Sequence, residues 1–590
     1  MSTNPILRIF LKNLKCKSNQ IALKQSPIIV YTKFCRYLTS LTRVGGFSNY
    51  EEERSTYNLT VPTHFNFASD ILDQWAFKEK NGYRTTNIPA LWFVSDDGKE
   101  IKLSFEELEI KSKRIANILQ NQCGVKKGDH VIVMLPKIPE FWLVFIAALR
   151  IGSILSPATM QLKVKDLIYR MESLKAECII VHDSVANIVD EASNSYKYLK
   201  NKVIVAENPI RKPGWIDLNH VQTDTVNHQC TLTKSDDSMI IYFTSGTTSN
   251  PKMVEHTHAS YGICLRDYGK YNLDLTSNNI LWGMTDTGWA LTAYNLFGAW
   301  TQGACIFVHE MPRFSAKKTL QILEKYPIDT FCAGTFIYKS LVQENLNVHR
   351  FNKLEHCFSG GETLNTEVIR KWLDKTGLRI YNGYGQTETI IMTATRKCID
   401  YRMGSIGKCM PGLVVKIVDE KENEVGPKVI GEIVLERKST PAIFKRYKNN
   451  PEATKAHLSE KYLHTGDFGF YDEDDFFWFV GRNDDLINSA GYRIGPTEVE
   501  NALMDHPAVA EVAVTSSPDN QRGEIVKAFI RLNNDTQPSE SLIKKLQDHC
   551  KRSTAPYKYP RKIEFLEEFP RTASGKIKRS ELRQKEWKNF

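Results

Sequence analysis

The sequence predicts an α/β fold built mainly on parallel sheets, and three observations lead there. Short apolar runs with no polar alternation, such as Cys178–Val181, Met239–Phe243, Ala304–Val308 and Thr330–Ala333, recur along the first 400 residues. Helical stretches such as 316–325 lie between them. Strands buried on both faces and separated by helices are the pattern of parallel sheets covered on each side. The third observation is a change of texture near residue 400. There Gly404, Gly407, Pro411-Gly412, Gly426-Pro427 and Gly431 punctuate short alternating segments, which predicts a small antiparallel β unit.

Taken in order, Phe65 to Gly82 reads as a helical segment. Ser104-Phe-Glu-Glu107 is a capping box before an amphipathic run through Leu108, Ile115, Ile118 and Leu119. His130–Leu135 reads as a buried strand, and Val203–Val205 as another. The most apolar stretch, Phe141–Ile151, follows Pro136 and Pro139 and ends around Arg150 and Gly152. A membrane span needs about 20 apolar residues, so this is a buried core helix and no transmembrane segment is expected. After Gly481 comes an α+β module: a helix at Pro496–Met504, strands at Ala510–Thr515 and Ile525–Leu532, a helix at 540–552 and a basic end.

Composition narrows the function. The 590 residues exceed one core, 42% are hydrophobic and 25% charged. The formal net charge is +10, but residues 1–50 hold eight Lys or Arg and no acid. Without those eight, 70 basic residues face 68 acidic ones, so the basicity belongs to a leader and a nucleic-acid partner is not expected. The leader (1–45) has the composition of a mitochondrial transit peptide, with a disordered basic tail as the alternative. The twelve cysteines show no C-x-x-C spacing and read as reduced thiols packed as small apolar groups.

Four segments carry candidate chemistry. The strand Ile240–Phe243 runs into Thr244, Ser245, Gly246, Thr247, Thr248, Ser249, Asn250, Pro251 and Lys252. Hydroxyls and backbone N–H groups in such a loop can wrap phosphate oxygens while Lys252 supplies charge; a plain Ser/Thr-rich turn is equally open, and G-x-x-x-x-G-K-[ST] is absent. In Tyr381–Glu388, Tyr384 offers a flat face for a purine, Thr387 a hydroxyl and Glu388 an oxygen ligand for Mg²⁺, or the segment is a glycine-rich turn. Thr465-Gly-Asp467 with Arg482 could clamp a ribose diol or form a surface salt bridge. Lys576, in Pro570–Lys576, could swing onto a phosphate or be solvated. His256-x-His258 is expected to be a solvated loop pair, Asp472–Asp475 a surface turn, and Phe476–Phe479 part of the core.

The order of these segments, with FNFASDILDQW, MLPKIPEFW, Asp286-Thr-Gly-Trp289, GYRIGPTEVENAL and Ala555–Lys562, resembles the AMP-forming acyl-adenylate superfamily over nearly the whole chain from about residue 60. Within it the chain is most similar to mitochondrial medium-chain acyl-CoA synthetases. The resemblance implies a large domain over 60–482, a small mobile C-terminal domain over 484–590, and a hinge near Asp484. It implies ATP, CoA and a small carboxylic acid as substrates, Mg²⁺ as cofactor, and a matrix location; whether identical chains assemble is left open.

By resemblance, Thr244–Lys252 wrap the ATP phosphates. Gly361 and Glu362, with Asn382, Gly383, Tyr384, Gly385 and Gln386, border the nucleotide, and Thr387 and Glu388 serve the α-phosphate and metal. Asp467 and Arg482 hold the ribose, and Lys576 bridges carboxylate and α-phosphate. Ala490, Gly491, Tyr492, Arg493, Arg522, Lys551, Tyr559 and Arg561 receive CoA. Trp289 and Gly385 shape the acyl pocket. Acetate-specific relatives place a tryptophan where this chain has Gly385, so a longer aliphatic or an aromatic acid is expected to fit. Ser249 and Met253 stand where the superfamily loop usually has glycines, and Thr335 where relatives often carry proline. Loading of a carrier protein and a catalytically impaired homologue are the alternatives.

Overall fold

Two large sheets and the helices packed on them dominate the computed structural model, which describes residues 47–194, 196–221, 227–244, 251–362, 364–489, 492–572 and 576–588. All of these fall in one compact unit, Gly46–Phe590. One sheet has eight strands in the spatial order 446–447, 252–257, 238–244, 154–157, 130–134, 178–182, 201–205, 215–217. Its strands are parallel from 238–244 onward, while Lys252–Thr257 returns antiparallel on Ser238–Thr244. The other has nine strands, in the order 408–409, 391–394, 380–385, 356–360, 330–333, 280–284, 305–309, 91–94, 100–103, parallel through its middle.

The expected strands are present within a residue or two of their predicted ends, except that the strand read as Ala510–Thr515 runs on to Asp519. The capping box forms as read: Glu107 N–H donates to Ser104 Oγ at 3.1 Å and Ser104 N–H donates to Glu107 Oε2 at 2.8 Å. The apolar helix is Pro139–Ile151, ended by Gly152 at φ 76. Gly152 supplies the left-handed residue that closes a helix without a Cβ penalty. This helix is buried nearly throughout, Arg150 included. The Arg150 guanidinium forms a bidentate pair with Asp73 and donates Nε–H to Ser112 Oγ at 3.0 Å. No helix among the described residues is long and apolar enough to cross a membrane.

The antiparallel unit is a four-stranded sheet, 415–418, 431–436, 462–471 and 477–482. The C-terminal module is a five-stranded sheet built around the long hairpin Val509–Asp519 and Gly523–Leu532, with helices Pro496–Met504 and Glu540–Ser553. All ten cysteines among the described residues are free, eight of them buried.

Three expectations are corrected. His256 and His258 are fully buried. His256 lies within the strand Lys252–Thr257, and its polar ring is tolerated there because it finds partners. Asp472 is likewise buried, accepting bonds from Arg402 and Trp478 Nε1–H, so the acidic turn is anchored at its first residue. Of the aromatic run, Phe476 and Phe477 are core, while Trp478 and Phe479 are half-buried.

Candidate active site

Several of the predicted site residues, Thr244, Gly361, Glu362 and Tyr384–Glu388, stand where strands of the two large sheets end. Open α/β sheets place ligands beyond the carboxyl ends of their strands, because helix starts and loops gather there. Ser238–Thr244 delivers Thr244, which pairs in register with Lys252 on the returning strand. Ser245–Asn250, Ser249 among them, lie outside the described residues. Pro251 and Lys252 are half-buried, and the Lys252 ammonium sits 5.0 Å from the centre of the Tyr447 ring. His356–Gly360 delivers Gly361, at φ 94, and Glu362, whose carbonyl accepts from Thr335 Oγ1 at 3.3 Å.

Ile380–Gly385 delivers the richest cluster. Asn382 is buried, its N–H donating to Thr395 Oγ1 at 2.7 Å, and a Cβ on Gly383 would meet the Phe358 ring at 2.5 Å. Past Gly385 the chain turns through Gln386, Thr387, Glu388 and Thr389, and all four carbonyls are held from behind. Tyr294 Oη–H reaches Gln386 O at 3.1 Å and Thr389 O at 2.7 Å. Thr387 O accepts from His256 Nε2–H at 2.6 Å and from Tyr261 Oη–H at 3.3 Å. Glu388 O accepts the Phe444 N–H at 2.8 Å. His256 Nδ1 in turn accepts from Ser260 Oγ–H at 2.9 Å, which sets the tautomer. Burial pushes the pKa of His256 down to about 3, so the ring stays neutral.

Asp467 is the second hub. It pairs in register with Arg482, whose Nε is 3.4 Å from Oδ1. Its Oδ2 accepts from Tyr384 Oη–H at 2.8 Å and Gln386 Nε2–H at 2.7 Å. Burial raises the Asp467 carboxyl pKa, opposed by Arg482 and those two donors. One oxygen is thus spent on orienting the 384–386 segment, while Oδ1 faces the exposed Arg482. Tyr384 also packs tilted on Phe479, ring centres 6.0 Å apart.

Glu388 Oε1 accepts from Tyr447 Oη–H at 2.6 Å. Its other carboxylate oxygen and the Thr387 hydroxyl have no protein partner among the described residues. Hard oxygen donors of this kind, set beside a phosphate loop, fit Mg²⁺, which takes one or two carboxylates and fills the rest of its shell with phosphate oxygens and water.

Lys576 crosses to this side from the C-terminal module. Its ammonium donates to Gly361 O at 2.8 Å and lies 3.8 Å from Glu362 Oε1. The groove it spans, about 1430 Å³, is lined by Glu362, Arg482, Asp485, Glu500, Arg531 and Lys576 among others. Asn365 and Asn501 bond across it at 2.8 Å. Asp484 lies in a short helical turn, Asn483–Asp485, and its carbonyl accepts from Arg583.

Elsewhere in the module a basic aromatic face forms. Tyr492 stacks on Tyr557 with centres 4.3 Å apart. Lys551 Nζ and the Arg561 guanidinium lie 4.5 Å and 5.0 Å from the centre of the Tyr559 ring. Arg522 is exposed beside Gly523, which pairs with Ser489. Ala490, Gly491 and the Arg493 side chain lie outside the described residues.

Trp289 is half-buried at the start of the helix Ala290–Gln302. The turn before it is locked: Gly288 N–H donates to Asp286 Oδ1 at 2.8 Å, and a Cβ on Gly288 would sit 2.4 Å from Thr159 N. Gly385 requires a correction of reasoning. A Cβ there would meet Ile390 O at 2.2 Å, so its glycine answers a close backbone approach, and the direction of a side chain is into the chain itself rather than into open space. Sequence reasoning misread His256 as solvated and missed Tyr261, Tyr294 and Tyr447; only burial and contacts made across long sequence separations reveal them.

Comparison with known proteins agrees with this geometry. Residues 78–448 match the family model described as AMP-binding enzyme, and residues 498–576 match the AMP-binding enzyme C-terminal domain. The chain is 48% identical over 547 residues to the mitochondrial acyl-coenzyme A synthetase ACSM3 of Mus musculus, covering 92% of this chain and 94% of the relative. It is 48% identical over 533 residues to the mitochondrial acyl-coenzyme A synthetase ACSM4 of Rattus norvegicus, covering 89% and 91%. Among solved structures, an anthranilate CoA ligase, AuaEII, in complex with anthranoyl-AMP matches with a TM-score of 0.80 at 27% identity, covering 90% of this chain and 98% of that one. An acyl-CoA synthetase of Brucella canis matches with a TM-score of 0.70 at 29% identity, covering 92% and 100%. Two family models matched along the chain and relatives matched along nearly their whole length lead to one conclusion: the chain belongs to the AMP-binding enzyme family, as an acyl-coenzyme A synthetase.

Proposed function

We propose that this synthetase activates a medium-chain fatty acid or an aromatic acid in two half-reactions at one site. In the first, a carboxylate oxygen attacks the α-phosphorus of ATP, the bond to pyrophosphate breaks, and an acyl-adenylate forms. In the second, the thiol of CoA attacks the acyl carbon, and AMP leaves with the bonding electrons. No protein nucleophile is needed. The barrier is the approach of two anions, so positive charge and positioning do the catalysis.

Lys576 would neutralise carboxylate and α-phosphate together, and Lys252 with the Thr244–Lys252 loop would hold the outer phosphates. Thr387 would bond an α-phosphate oxygen, Asp467 and Arg482 the ribose, and Gly361, Glu362 and Tyr384 the base. Glu388 would hold Mg²⁺, which when bound neutralises phosphate charge. The acyl chain would lie by Trp289 and Gly385. CoA would approach over Tyr492, Arg493, Arg522, Lys551, Tyr559 and Arg561 once the 484–590 domain turned about Asp484. The named mitochondrial relatives and the acid-free basic leader support a matrix location.

The observation that best supports this reading is the Lys576 ammonium at Gly361 O, just past the end of the strand His356–Gly360. The test is AMP release from ATP with acids of graded size, butyrate to dodecanoate and benzoate, with and without CoA. AMP formation that requires CoA and peaks with mid-sized acids is expected. Adenylate formation with no CoA-dependent release would point to carrier-protein loading, and ATP binding without turnover of any acid would overturn the proposal.

A further inference from the structure

The geometry points to Tyr447 as a positioning residue that ties the phosphate-binding lysine to the metal-binding carboxylate, an inference that rests on the role proposed for Glu388. Tyr447 closes the short strand Arg446–Tyr447, which pairs with Lys252–Thr257 at Arg446↔Glu255 and Tyr447↔Val254. It therefore stands beside the strand that carries Lys252. Its phenol donates to Glu388 Oε1 at 2.6 Å, and the Lys252 ammonium lies 5.0 Å from its ring centre. One side chain thus touches both charged groups that would meet a metal-bound triphosphate.

The ring is built in. Tyr447 is fully buried. It packs tilted on Phe444 at 4.7 Å and edge-on to His457 at 5.1 Å. Its own N–H donates to Thr454 Oγ1 at 3.0 Å. Backbone bonds on either side, Phe444 N–H to Glu388 O and Lys448 N–H to Met253 O, stitch the 444–448 segment to Glu388 and to the residue after Lys252. A phenol held this way can do two things that a water could not. It fixes the rotamer of Glu388 with one oxygen engaged and the other free for a cation. Its electron-rich face attracts the Lys252 ammonium on the same side. The arrangement sets the spacing between the lysine and the carboxylate before any nucleotide arrives.

The test separates the two contacts. Tyr447→Phe deletes the bond to Glu388 and keeps the ring; Tyr447→Leu removes both. With ATP saturating and no acid present, Mn²⁺ binding followed by electron paramagnetic resonance reads the metal site without turnover. Partners that orient a metal ligand are worth roughly 10–100-fold in affinity. Tyr447→Phe is therefore expected to weaken Mn²⁺ binding about tenfold with only a small fall in melting temperature, and Tyr447→Leu to weaken ATP binding as well. In a Glu388→Gln background, Tyr447→Phe is expected to add nothing. Unaltered Mn²⁺ affinity in Tyr447→Phe, while Glu388→Gln loses it, would overturn the inference alone. Unaltered affinity in Glu388→Gln would overturn the role given to Glu388 and the inference with it.

Discussion

The Gln386–Thr389 turn and the Lys576 segment both carry residues read from the sequence as substrate-binding, yet they are held in opposite ways. The turn has every carbonyl bonded by a buried donor, and the side chains of His256, Tyr261 and Tyr294 supply most of those bonds. Lys576 is exposed and meets the other wall through one ammonium contact at Gly361 and a looser one at Glu362. The contrast separates preorganisation from delivery. Groups that must stabilise charge without reorganising are fixed by a buried scaffold. Under the proposed two-step reaction Lys576 would be present for one half-reaction and withdrawn for the other, and its module makes few polar ties across the groove among the described residues.

Breaking the fixed half at its second hub should produce the largest effect on stability. Asp467→Ala strips the acceptor from Tyr384 Oη–H and from one of the two Gln386 Nε2 hydrogens, the other staying on Thr465 O, and it leaves Arg482 without its carboxylate. A loss of about 2–5 kcal/mol in denaturant unfolding is expected. A weaker affinity for ATP should accompany it, measurable by calorimetry; a fully stable Asp467→Ala protein would show that the turn is braced from behind alone.

Gly385→Ala should cost less, about 1–3 kcal/mol, because its Cβ presses on Ile390 O and the 385–390 backbone has to shift. Thermal melting checks this. A Gly385→Ala protein as stable as the parent and accepting shorter acids would restore the simpler view that this glycine only opens a pocket.

The smallest effect is a pH dependence confined to the rigid body. Burial holds His258 and His356 neutral, with pKa values lowered to about 4. A lowered folded value means that the stability of the neutral ring is full above the unfolded value of about 6.5. It is lost as pH falls from there toward 4, by up to about 1.4 kcal/mol per pH unit for each ring. Denaturant unfolding at about pH 7.5 and about pH 5.5, either side of that unfolded value, should show this slope, and His258→Gln should flatten it by one ring's share.

Much of this was legible in the sequence, and the remainder was hidden for a physical reason. Strands such as Cys178–His182 and the helix Pro139–Ile151 announce themselves because their burial is local and continuous. The capping box at Ser104 is likewise a contact between residues three apart. His256 looked like part of a polar loop, since Glu255, His256, Thr257 and His258 are all polar. What satisfies its buried ring is a bond to Thr387, 131 residues away, and Arg446, 191 residues away, does the same for Glu255. Gly385 was read through the side chain it lacks, whereas the backbone of Ile390 decides it. Tyr447 carried no signal of its own, because both its charged neighbours come from other segments.

The division between a fixed socket and a delivered cation is tested most directly by Lys576→Ala, assayed separately in each half-reaction. ATP–pyrophosphate exchange should fall at least about a thousandfold, as when a principal charge-stabilising group is removed. Transfer of the acyl group from a supplied acyl-adenylate to CoA should stay near the parent rate. Equal loss of both half-reactions would contradict the account, because it would make Lys576 part of the permanent scaffold.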